Sequence, residues 1–208
     1  MGIWRRNGLT IVLVVLTVLS IAGMFVSGLF AYQSELGQHG AGGIAASRYA
    51  ATGHFLSAIF ENWESEFLQM GAYVCLTAFL FQKGSAESKD PDGGERENDH
   101  TPSGFGPVTG FLYSYSLGIA LAALFIISFL LHFHFSWKAE NAEALLHGEA
   151  PLPYLGHLFD SQFSFESLQN WQSEFLSTAV LVVLSIFLRF RGSPESKPVA
   201  APHSETGA

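Results

Sequence analysis

Two long apolar runs dominate the pattern of the chain. Leu9 to Phe30 extends for 22 residues without a charge and Phe105 to Leu131 for 27, both beyond the ~18 apolar residues that mark a membrane-spanning helix. Each is followed by a shorter run, Phe67 to Phe81 with 15 residues and Phe175 to Leu188 with 14. Length alone leaves the shorter pair open to being buried or interfacial helices.

Repetition decides between these readings. A shift of 108 positions lays Leu9 to Lys89 over Leu117 to Lys197 without a gap, and 26 of the 81 pairs are identical. Asn62-Trp63-Glu64-Ser65-Glu66-Phe67-Leu68 returns as Asn170-Trp171-Gln172-Ser173-Glu174-Phe175-Leu176, and Gly84-Ser85-Ala86-Glu87-Ser88-Lys89 returns as Gly192-Ser193-Pro194-Glu195-Ser196-Lys197. A copied unit fixes an architecture before any residue is interpreted. The expected fold is an all-α integral membrane protein whose four transmembrane helices come from two parallel, tandem-duplicated helical hairpins. The first occupies residues 1–89, with spans at about 9–30 and 63–82; the second occupies 105–197, with spans at about 108–131 and 171–190. Residues 90–104 form an acidic linker and 198–208 a polar tail, and both compositions predict disorder. Apolar residues at helical spacing in His54 to Phe60 and Phe163 to Leu168 predict helical lead-ins before the returning spans. Whether these bend at Asn62 and Asn170 or run straight on is not decided by the pattern.

Charge sets the orientation of this arrangement. With four crossings Arg5, Arg6, Lys83, Lys89, Arg96, Arg189, Arg191 and Lys197 share one side, leaving Arg48 and Lys138 opposite. That bias places both termini in the cytoplasm. The low charged fraction, 13% against 49% hydrophobic, is far below the ~25% of soluble domains. A net charge of −8 offers no basic footprint for nucleic acid. Cys75 is the only cysteine, so no intrachain disulfide exists. A cleavable signal ending near Ser20-Ile21-Ala22 is the lesser reading of the start, since the run continues to Phe30 and its counterpart lies mid-chain.

Candidate chemistry concentrates where the repeated motif meets the membrane boundary. Counting back about 20 residues from Gln82 puts Trp63 near the outer interface, and Trp171 likewise, as anchors. Glu66 and Glu174 then lie about one turn deeper, where a carboxylate is costly unless paired, protonated or hydrated. Asn62, Glu66, Gln69 and Tyr73 share one helical face, with Asn170, Glu174 and Ser177 on the matching face of the second copy. Interhelical packing is the leading reading of that stripe and a binding or relay site the second. The turns bearing Ser85, Glu87, Lys89 and Ser193, Glu195, Lys197 read as helix ends, with docking of a cytoplasmic partner as the alternative.

No cofactor is expected. Metal binding by the outer histidines His132, His134, His39 and His147 is the minor reading, because His132 and His134 diverge on a helix and no strong ligand spacing occurs. No catalytic motif is present either, so the chain is read as non-enzymatic. The segments FENWESEFLQM at Phe60–Met70 and FLFQKGSAESK at Phe79–Lys89 resemble a bacterial family of small membrane proteins of unknown function. The resemblance implies an inner-membrane location and carries no activity. The functional expectation is therefore a structural, accessory or partner-binding inner-membrane protein. It would be embedded in the lipid bilayer, with itself or an unidentified membrane or cytoplasmic protein as partner. The rival is a small oligomeric transporter or channel in which Glu66 and Glu174 carry a proton or cation.

Overall fold

The computed structural model describes residues 2–94 and 98–207. Glu95, Arg96 and Glu97 lie outside the described residues, and with them the middle of the expected linker and one of the basic side chains counted above. Seven helices and no strand occur among the described residues: α1 (Ile3–Gln38), α2 (Ala46–Tyr49), α3 (Gly53–Phe79), α4 (Pro107–Ser114), α5 (Ser116–His147), α6 (Tyr154–His157) and α7 (Ser161–Phe187).

The bounds repeat at the same interval as the sequence. Adding 108 to the ends of α2 gives those of α6, and adding 108 to the ends of α3 gives those of α7. The stops repeat too. Gly40 and Gly148 adopt φ of 68° and 73°, a left-handed conformation that glycine reaches without a Cβ penalty. Beyond each glycine a backbone N–H folds back over the helix end, from Ala41 to the Leu36 carbonyl at 2.9 Å and from Glu149 to the Ala144 carbonyl at 2.8 Å.

Two helices, α1 and α5, are long and apolar enough to cross a membrane, with mean hydropathy of 2.7 and 2.3 in their most apolar stretches. Both outrun the expected spans, since α1 continues past Phe30 to Gln38 and α5 past Leu131 to His147. The second apolar run is divided at Tyr115, where α4 ends and α5 begins. Helices α3 and α7 settle the lead-in question, because each runs unbroken through Asn62 or Asn170. None of the most apolar stretch of α1 is buried by the rest of the chain. A helix apolar all round needs cover from lipid or another protein.

The chain divides into two compact units. The first comprises residues 1–60 and 131–163. Its core repeats one aromatic contact, Phe25 edge-on to Phe55 at 5.2 Å and Phe133 edge-on to Phe163 at 5.4 Å. Tyr49 packs on the first pair and His157 on the second, and both are fully buried. Gly53, where α3 starts, lies so close to α5 that a Cβ would meet the Phe135 carbonyl oxygen at 2.7 Å.

The second unit comprises residues 61–130 and 164–208. Here Gly71 faces Leu121 at ordinary contact distance, and Trp171 lies edge-on to Phe125. The tail, which composition leaves without order, makes turns against this unit. Gly207 N donates to the Ser85 carbonyl at 2.9 Å and Gly84 N to Thr206 Oγ1 at 2.9 Å.

Candidate functional site

The polar stripe of the second unit is organised by α3 and α7. Gln69 Nε2 donates to Thr178 Oγ1 at 2.5 Å, to the Glu174 carbonyl at 3.2 Å and to Ser177 Oγ at 3.4 Å. Asn170 Nδ2 donates to the Glu61 carboxylate and to the Glu166 carbonyl. Ser177 Oγ donates to the Glu174 carbonyl at 2.9 Å. Glu66 and Glu174 lie close enough for their charges to act on each other; Glu66 is exposed and Glu174 half-buried. Asn62 is exposed as well.

Among the described residues the fully buried carboxylate is Glu64, which accepts a hydrogen bond from Trp171 Nε1 at 2.9 Å. Gln172 stands at the matched position of the second half, so matching the two copies does not single Glu64 out. The signal that could have found it is the asymmetry itself, since a residue present in one half can bond to the other half. Trp171 turns inward to Glu64 and Phe125, while Trp63 is 40% exposed.

The repeated Gly-Ser-x-Glu-Ser-Lys turns share the same internal bonds. Ser85 Oγ accepts from Glu87 N at 3.1 Å and Ser193 Oγ from Glu195 N at 3.2 Å. Ser88 Oγ accepts from Gln82 N and Ser196 Oγ from Phe190 N, both at 2.9 Å. Each motif thus closes the turn that follows its helix with two hydroxyls, one accepting from the N–H two residues on and one from the N–H six residues back, which is a local reason for those serines at that spacing. Ser85 is also buried against Ser185 Oγ at 2.8 Å. Lys197 is buried, donating to the Pro202, His203 and Glu205 carbonyls. Glu87 accepts a hydrogen bond from the Tyr73 hydroxyl at 3.0 Å. Burial pushes its carboxyl above the usual range; the Tyr73 bond opposes this and Glu195 reinforces it. Lys89 is half-buried.

In the first unit, His39 and His147 meet edge to face at 4.7 Å. His132 packs on Phe163, and His134 on Phe135 and Tyr154. The four histidines expected to offer ligands therefore do not form one set. Among the described residues, ligand-type atoms gather instead at Glu140, His157 and Asp160, all within 4.8 Å of one another. His157 Nδ1 lies 3.1 Å from Glu140 Oε2, and His157 Nε2 lies 3.1 Å from Ser136 Oγ. Helix α5 supplies Ser136 and Glu140 one turn apart, and α6 with the turn after it supplies His157 and Asp160. A carboxylate, an imidazole and a hydroxyl in line are the parts of a nucleophilic relay. However, Ser136 is only 4% exposed. A separate cavity of about 250 Å³ is lined by residues that include Tyr32, His54, Lys138 and Glu143, and Ser136 is not among them.

No curated protein and no solved structure is similar to the chain. A family model described as "Domain of unknown function (DUF6766)" matches residues 1–208, so the chain belongs to that family.

Proposed function

We propose that this is a non-enzymatic bacterial inner-membrane protein that crosses the bilayer four times, as two copies of one helical hairpin with both termini in the cytoplasm. Its role is structural or accessory, exercised by binding a partner or a second copy of itself. The observation that carries this reading is the set of bonds made by Gln69. Its amide is committed to Thr178, Ser177 and the Glu174 carbonyl, so the polar stripe joins α3 to α7. Side chains that hold two helices together in this way act as packing contacts, as small and polar residues do between membrane helices. The recurrence of helix bounds, glycine stops and serine-closed turns at an interval of 108 supports two copies of one hairpin. The uncovered apolar surface of α1 supports a lipid or protein neighbour.

One observation favours a second reading, a proton or cation pathway. The charges of Glu66 and Glu174 act on each other, and Glu66 is exposed. Proton and potassium flux into liposomes separates the two readings. The packing reading predicts no flux above empty liposomes from the folded wild-type chain. Flux that disappears in the Glu66→Gln, Glu174→Gln variant while the chain stays folded would replace it with the transport reading.

A further inference from the structure

The two halves of the first unit differ in chemistry at one set of matched positions. Around the second aromatic pair stand Ser136, Glu140, His157 and Asp160; 108 positions earlier stand Gly28, Tyr32, Tyr49 and Thr52. In the first half the site is filled by packing. Tyr49 lies against Phe25, Phe55 and Tyr32, with its hydroxyl directed at Gly28 and at His54 Nδ1, 3.0 Å away. In the second half the same scaffold holds two carboxylates and an imidazole.

We propose that Glu140, His157 and Asp160 bind one divalent first-row transition ion, with zinc or manganese as the class that a nitrogen and two oxygen ligands fit. Ligands about 2.0–2.2 Å from a tetrahedral ion stand roughly 3.3–3.6 Å apart. The 3.1 Å between His157 Nδ1 and Glu140 Oε2, and the 4.8 Å limit on the whole group, fall around that spacing. The ring is held for the task. His157 is fully buried between Phe133 and Phe163, and its Nε2 meets Ser136 Oγ. A bond from the far ring nitrogen to a hydroxyl fixes the tautomer that leaves the other nitrogen facing the ion. Asp160 is held by Gln162 N, which donates to its Oδ1 at 2.7 Å. The Glu140 side chain is 29% exposed, which gives an ion a way in. Three protein ligands leave a fourth position for water or a further ligand. The inference does not depend on whether the stripe in the second unit packs helices or conducts ions.

The test uses the full-length chain in detergent, stripped with a chelator and titrated with cobalt(II), then challenged with zinc(II). The site predicts one cobalt(II) per chain, with visible ligand-field bands that zinc(II) abolishes. Glu140→Gln and Asp160→Asn should each weaken binding by about 100-fold or more, a loss at least as large as those from changing outer-shell partners. His39→Asn with His147→Asn should leave it unchanged. Should these variants fail to fold, the quadruple variant Ser136→Gly, Glu140→Tyr, His157→Tyr, Asp160→Thr borrows all four residues of the first half, including the glycine that makes room for the Tyr49 hydroxyl, and is expected to fold without binding. Absence of saturable binding by the wild type overturns the proposal, as does binding that survives Glu140→Gln with Asp160→Asn or vanishes with the His39, His147 variant.

Discussion

At the residue scale, burial decides what each polar group does. Glu87 is the clearest titrating case outside the apolar spans. Its folded carboxyl binds a proton more tightly than the ordinary value of 4.5, chiefly because burial disfavours the charged form. The stabilisation tied to that proton is complete below the unfolded value and is lost as pH rises through the higher folded one. At neutral pH the carboxylate therefore burdens the fold. Glu87→Gln keeps an oxygen for the Tyr73 hydroxyl, so it should raise the unfolding temperature at pH 7 and change it little near pH 4. Equal shifts at both pH values would show that charge is not the cause. The sequence pointed to Glu66 and Glu174 by depth, yet it could not rank them against Glu64. Glu64 is bonded to Trp171, which lies more than a hundred residues away along the chain.

At the element scale, the apolar runs and the repeat made the helices legible, while their ends were set by features a hydropathy pattern does not carry. Helices α1 and α5 end at the glycine turns of Gly40 and Gly148 rather than where hydrophobicity falls. The Gly-Ser-x-Glu-Ser-Lys motif was visible by its retention, but the reason for it, hydroxyls returning to the backbone, is a matter of three-dimensional geometry that spacing alone does not carry. Gly53 is a similar case. Nothing in the pattern marks it, yet α3 approaches α5 there against backbone atoms that cannot swing aside. Gly53→Ala should destabilise by about 1–3 kcal/mol, the usual scale of overpacking. Gly23→Ala, whose Cβ would meet nothing within 4 Å, should be tolerated. Thermal unfolding of both variants in detergent checks this, and equal stability would remove the close-approach argument.

At the scale of the whole molecule, the helical class with two helices apolar enough to cross a membrane was readable from the apolar runs, and the repeat from 81 aligned pairs, while the meeting of Glu140, His157 and Asp160 was not. Those three residues share no helix spacing, and only the turn after α6 brings two of them to α5. Crossing number is the claim on which the rest depends, because two helices are apolar enough by themselves and the other two are argued from repetition. Its direct test is labelling with a membrane-impermeant thiol reagent. Single cysteines would be placed at Gln38, Asp92, Glu149 and Glu205 in a Cys75→Ser background, in intact bacterial cells and again after permeabilisation. Four crossings predict that the cysteines at Gln38 and Glu149 react in intact cells while those at Asp92 and Glu205 react only after permeabilisation. Reaction at Asp92 together with Gln38, and protection of Glu149, would mean that α1 and α5 alone cross and would contradict the account.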